Sequence, residues 1–206
     1  MSHEVDGASF WDGLYGSGGD GWELGAPAPP LARLLREAPP TGSRVAVPGC
    51  GRAHDVALFT THGFEATGFD FSDRAVAAAV KLGRRVLKRD IFALGAEFPA
   101  AFDVAWEYTC FCAIDPARRA DYVEVLSRIV KPGGELIALL YPLGKEGLPC
   151  VAPPPGAKQG PPFPVKRDEV ERLLATHFRI ESAEIPVDSI ERRQGHELLV
   201  RARRTG

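Results

Sequence analysis

The chain of 206 residues predicts an α/β fold, a doubly wound, mostly parallel seven-stranded sheet with helices on both faces. Three observations carry that expectation. From Val45 to the C-terminus, short apolar segments alternate with segments of helical period. The first apolar segment runs into a turn with two glycines, Val47-Pro-Gly-Cys-Gly51, and then into a helix. The second ends on Asp70, 19 residues beyond Gly51, close to the ~20-residue interval at which a carboxylate meets ribose hydroxyls in nucleotide-binding βαβ units.

The elements follow in order. Residues 45–48 read as a strand, and 54–62 as a helix with Val56, Leu58 and Phe59 as its apolar members. A second strand covers 65–69, and Ser72 is placed to cap the alanine-rich helix 74–82. Residues 85–88 form a third strand. Residues 102–107 form a fourth, continuously apolar as a strand covered on both faces must be. Asp115-Pro116 opens the helix 117–130, with proline at the first turn where its missing donor is harmless. Lys131-Pro-Gly-Gly134 stops that helix before a fifth strand, 135–140. After a break come a helix over 167–176 and two final strands, 178–186 and 197–203. The whole chain, 1–206, is expected to form a single domain. The break at 142–166 is rich in proline and glycine, and more than 20 residues without period inside a domain signal a functional loop.

Composition excludes several classes. A net charge of -2 without a broad excess of Lys and Arg gives no reason to expect a nucleic-acid partner. No apolar run approaches the ~20 residues needed to span a bilayer. The opening Met1-Ser-His-Glu-Val-Asp6 is polar and acidic, unlike a signal peptide, so the expectation is a cytoplasmic protein without a membrane partner. Cys50, Cys110, Cys112 and Cys150 have neither zinc-ribbon nor Cys-x-x-Cys spacing. Cys110 and Cys112 are expected on one face of a strand, as small buried thiols rather than metal ligands.

The glycine turn brings bare backbone amides against a ligand, since Gly49 and Gly51 carry no side chain to block close approach. A dinucleotide fingerprint counted from Gly49 would put its third small residue at His54, which opposes tight packing beneath a pyrophosphate. The Gly-Lys-Ser/Thr phosphate cradle is missing. A nucleoside cofactor with an amino acid in place of the pyrophosphate suits this turn, namely S-adenosylmethionine. Two rival readings share the same residues: a nicotinamide-dependent oxidoreductase, and a cofactor-binding regulatory protein without turnover.

Ahead of the first strand, Trp11 and Tyr15 stand four apart and share a helical face, and five glycines lie between Trp11 and Trp22. Aromatics in so glycine-rich a segment suit a cover over a cofactor, or else an edge of the sheet. Their faces attract a sulfonium by about 0.5–2 kcal/mol per good contact.

Taken together these pieces resemble the thiopurine S-methyltransferase family, most closely its branch of thiol and halide methyltransferases. The match runs through Trp11-x3-Tyr15-x6-Trp22-x2-Gly25, Val47-Pro-Gly-Cys-Gly51 with His54-Asp55, Gly68-x-Asp70-x-Ser72 and Asp90-Ile-Phe92. It continues through Phe102-Asp103, Glu107-Tyr108-x2-Phe111-Cys-Ala-Ile114, Lys131-Pro-Gly-Gly134 and Gly160-Pro-Pro-Phe-Pro164. The resemblance implies methyl transfer from S-adenosylmethionine to a small soft nucleophile by a monomer. Gly49 and Gly51 would approach the cofactor's methionine part, Asp70 its ribose, and Asp90 with the backbone of Ile91 its adenine. Trp11, Tyr15 and Trp22, within an N-terminal segment 1–40, would close over it. Tyr108, as the catalytic residue, would stand between cofactor and acceptor. Phe111, Cys112 and Tyr141 are the expected acceptor-pocket residues, under the loop 142–166, with His196 as a further candidate. Two departures from the family pattern, Tyr15 where the halide branch often has Trp and Glu107 where Asp is usual, bear on acceptor choice.

Overall fold

The computed structural model describes residues 4–144 and 160–206. Most of the proline-rich stretch and Cys150 lie outside the described residues. Seven strands form one sheet in the order β3-β2-β1-β4-β5-β7-β6. They are β1 (Arg44–Pro48), β2 (Glu65–Asp70), β3 (Val86–Lys88), β4 (Phe102–Tyr108), β5 (Val130–Leu140), β6 (Phe178–Glu184) and β7 (Leu198–Arg204). The first five pair in parallel, while β7 runs antiparallel to both β5 and β6. The sheet is therefore mixed, and β7 is its one reversed strand.

Side chains alternate across the sheet with the period of a strand. Val45, Val47, Val104, Trp106, Ile137 and Leu139 pack on one face, beneath α2 (Pro29–Glu37), α3 (His54–Thr61) and α4 (Asp73–Lys81). Ala46, Ala105, Leu136, Ala138 and Leu140 pack on the other, beneath α5 (Leu94–Glu97), α6 (Arg119–Ile129) and α7 (Arg167–Leu174). Cover on both faces is why the centres of β4, Val104-Ala-Trp106, and β5, Leu136-Ile-Ala-Leu-Leu140, read as unbroken apolar runs.

Local chemistry sets the boundaries. Ser72 caps α4 as expected, its hydroxyl accepting from the Ala75 amide at 3.1 Å. Pro116 opens a 3₁₀ turn (Pro116–Arg118) that leads into α6 at Arg119. Lys131-Pro-Gly-Gly134 does not form a separate turn before the strand. β5 already pairs at Val130 with Phe102, and the next pairing is Val104 with Glu135, so the four residues bulge out of a continuous strand. Cys110 and Cys112 are not on a strand either. β4 stops at Tyr108, and Thr109 turns the chain with φ +63°.

Ahead of β1 lies α1 (Ala8–Ser17), which packs on α4, followed by α2. Proline at the start of α2 and apolar Leu31, Leu34 and Leu35 on its inner side fix that helix to the sheet. Among the described residues no helix is long and apolar enough to cross a membrane.

Candidate active site

A cavity of about 750 Å³ opens at the C-terminal ends of β1, β2 and β4. This is where strand order reverses between β1 and β4, the position at which ligands bind in open α/β sheets. Its floor is the glycine turn. Gly49 and Gly51 have φ of +60° and +52°, a region that only glycine enters without strain. A Cβ at 49 would stand 2.7 Å from Cys110 Sγ, and one at 51 would stand 2.8 Å from Tyr15 Oη. Asp70 closes the turn from β2. Its Oδ2 accepts from the Gly51 amide at 2.9 Å and its Oδ1 from the Ser72 amide at 2.9 Å. Burial pushes the Asp70 carboxyl up, against the pull of those amides. Each oxygen keeps further lone-pair capacity, so the carboxylate braces its own turn with acceptor capacity to spare.

The roof is the N-terminal segment. Trp22 meets both Trp11 and Tyr15 edge to face, with centroids 5.4 and 5.5 Å apart. Bonds from α4, the glycine turn and α3 hold the segment down. Asp12 Oδ1 accepts from Ser72 Oγ at 2.6 Å and from the Arg74 amide at 3.1 Å. Arg52, the residue after the glycine turn, pairs with Asp20 at 2.6 Å and Glu23 at 3.0 Å, and its guanidinium lies over the Tyr15 ring. His54 Nε2 is 3.0 Å from Glu23, whose charge opposes the downward push that burial exerts on the imidazole. Asp55, buried, accepts from the Ala28 amide and from Trp106 Nε1, which ties the start of α2 to β4.

The far wall comes from the ends of β4 and β5 and from the link into β7. Because β7 is reversed, its start at Leu198 pairs with the end of β5 at Leu140. The preceding residues are thereby delivered to the cavity. Tyr108 donates its hydroxyl hydrogen to Glu197 Oε1 at 2.9 Å, and the Tyr108 oxygen accepts from Arg193 Nη1. Arg193 lies over the Tyr141 ring at 4.5 Å, and its Nη2 donates to the Trp22 carbonyl at 2.9 Å. Burial drives the Tyr108 phenol upward, and the Cys112 thiol to about 12. Beneath this wall Glu107 accepts from the Phe111 amide at 2.8 Å and the Tyr122 hydroxyl at 2.6 Å, and burial pushes it to about 7.

A sequence model of the thiopurine S-methyltransferase family matches residues 7–204. The chain belongs to that family. Two relatives illustrate its range. "Probable thiol methyltransferase 2" of Arabidopsis thaliana is 31% identical over 170 residues, 80% of this chain and 70% of that protein. A thiopurine S-methyltransferase of Pseudomonas aeruginosa is 29% identical over 199 residues, 86% of each. Among solved structures, Burkholderia thailandensis 1,6-didemethyltoxoflavin-N1-methyltransferase, with S-adenosylhomocysteine bound, superposes with a TM-score of 0.72 at 21% identity. That match covers 97% of this chain and 87% of that one, and it shows the shared fold. The protein is an S-adenosylmethionine-dependent methyltransferase, and S-adenosylmethionine is its cofactor.

The methyltransferase's residues fit that cofactor: a side-chain-free turn, a buried carboxylate with acceptor capacity, and aromatic faces opposite. Trp11, Tyr15, Trp22, Gly49, Gly51, Asp70, Asp90, Ile91, Tyr108, Cys112 and Tyr141 all line the one cavity. Asp90 sits at its exposed rim, where one oxygen caps the Phe92 amide at 2.9 Å. Phe111 does not join them. The turn after Thr109 directs it into the core under α6, stacked on Arg119, because Glu107 holds its amide from below. His196 also stays outside, bonded through its ring to the Leu143 carbonyl. Sequence reasoning missed Arg193, Glu197, Arg52 and Glu23. All four are charged residues outside the sheet and the α-helices, and only their tertiary placement marks them.

Proposed function

We propose that the enzyme methylates a small soft nucleophile, such as a thiol, bisulfide, halide or thiopurine-like sulfur. One observation supports this above the others. The cavity's own carboxylates and imidazole (Asp6, Glu23, His54, Asp55, Asp70 and Asp90) all come from segments ahead of Tyr108. The lining residues after it, Tyr141, Cys112 and Arg193 among them, include no carboxylate or imidazole among the described residues, and Glu197 lies buried behind Tyr108. Tyr108 cannot take a proton, because its own is committed to Glu197 and its oxygen to Arg193. An amine or alcohol acceptor needs a base within reach. A thiol of ordinary pKa ~8.5 supplies enough thiolate at neutral pH without one.

The bound cofactor supplies an electrophilic methyl on a positively charged sulfur. Gly49, Gly51 and Asp70 would hold its amino-acid and ribose parts, with Asp90 and Ile91 at the adenine end. Trp11, Tyr15 and Trp22 would exclude water and face the sulfonium, in a segment (1–40) that covers the cofactor. Tyr108 would fix the line between acceptor and methyl. Burial raises the pKa of Cys50, Cys110 and Cys112, so these three thiols do not compete for the methyl group.

A series of thiols of different acidity tests the reading. For each, kcat/KM should rise with pH along that thiol's own ionisation. A single pKa common to every acceptor would reveal an enzyme base and contradict the proposal.

A further inference from the structure

The Arg193–Glu197 pair is the most deeply buried pair of opposite charges in the described molecule, with the two side chains 2% and 1% exposed and 3.6 Å apart. Removing two charges from water costs more than a single such contact returns, unless the remaining donors are satisfied and the arrangement fixes something. Here the donors reach two distant parts of the chain. Nη1 reaches the Tyr108 hydroxyl, 85 residues away, and Nη2 reaches the Trp22 carbonyl, 171 residues away. The planar guanidinium makes both bonds in a fixed relative direction, which a lysine ammonium cannot do.

We infer that Arg193 is a positioning residue that fastens the aromatic roof to the Tyr108 wall, so that seating the roof and orienting the Tyr108 hydroxyl are one event. Glu197 is the other half of the device. It accepts the Tyr108 hydroxyl's hydrogen bond and balances the guanidinium, which fixes the Tyr108 side chain at the cavity wall. Two segments that are far apart in sequence thus share one rigid joint. An acceptor and a cofactor meeting at Tyr108 would find the roof and the wall already in register.

The inference rests on the reading that the N-terminal segment covers the cofactor, and the test separates the two. Tryptophan emission is followed while S-adenosylhomocysteine is titrated into the full-length enzyme, Arg193→Lys and Glu197→Gln, alongside kcat, KM and thermal midpoints. The wild-type emission should change on binding. Arg193→Lys should lose at least half of that change, raise KM for the cofactor about tenfold and lower kcat. Glu197→Gln should move all three in the same direction by less. If Arg193→Lys fails to fold, the Glu197→Gln data decide by the same criteria. Normal emission and kinetics in a folded variant, with or without a lower thermal midpoint, would make the pair a purely structural one and overturn the inference. A wild-type emission that ignores the ligand would remove the covering role itself, and the inference with it.

Discussion

Asp70 braces the fold at the position proposed for the cofactor's ribose. A carboxylate at a strand end reads as a ribose acceptor that the core does not need. The structure adds that both its oxygens hold backbone amides, Gly51 and Ser72. Asp70→Ala is therefore expected to weaken S-adenosylmethionine binding by about 1.5–3 kcal/mol, the scale of lost charge-assisted hydrogen bonds. It should also cost roughly 1–3 kcal/mol of stability by leaving two amides unpaired. Calorimetry and urea denaturation read the two effects separately, and unchanged affinity in a folded variant would place the ribose elsewhere.

Glu107 makes a prediction about pH. Burial raises its carboxyl from the ordinary 4.5 to about 7. The native state therefore binds more protons than the unfolded chain between those values, and stability falls as pH rises through that window. Asp55 and Asp70, also raised by burial, add slope of the same sign. Glu107→Gln keeps an acceptor for the Phe111 amide, sets an NH2 donor opposite the Tyr122 hydroxyl, which must turn to accept, and removes the titration. Denaturant midpoints at pH 5, 6, 7 and 8 should decline in the wild type and decline less steeply in the variant. Parallel curves would mean that Glu107 ionises normally.

At the level of elements, the strand and helix alternation was legible because both faces of the sheet are covered and each apolar run has one unambiguous period. What was not legible lay where long-range bonds override local signals. Lys131-Pro-Gly-Gly134 carries every mark of a turn. It becomes a bulge in β5 because Asp103 accepts from Lys131 Nζ at 2.5 Å and from the amides of Ser43 and Arg44 at 2.9 Å, locking it beside β1 and β4. Burial opposes ionisation there, and the Lys131 bond and the two amides still hold Asp103 at about 2. The N-terminal aromatics read equally as a roof or as edge cover. The structure stacks them against each other and over the glycine turn, with ion pairs from Arg52 to Asp20 and Glu23. Deleting residues 1–25 removes these contacts and keeps Ala28, which is bonded to Asp55, and α2. The expected result is a folded sheet, modestly less stable, that has lost most methyl transfer. Near-full turnover in the truncated protein would reduce Trp11, Tyr15 and Trp22 to edge cover.

Across the whole molecule, Gly49, Gly51 and Asp70 were legible together because they fall at fixed distances within one βαβ unit. On the wall beyond them Tyr108 and Tyr141 were legible only through the family resemblance, and Arg193 was not legible at all. The reversed placement of β7 brings Arg193 to the other two. Phe111 shows the converse, a residue correctly placed in sequence beside the wall and turned into the core by one bond from Glu107. The central claim is that this cavity joins S-adenosylmethionine to a nucleophile that arrives already ionised or soft. It is tested most directly by transfer of a labelled methyl group to a panel of iodide, bisulfide, alkyl and aryl thiols, thiopurines, amines and alcohols. Label is expected in one or more of the sulfur or halide acceptors and in none of the amines or alcohols. Transfer to an amine or an alcohol, with the thiols and halide left unmodified, would contradict it.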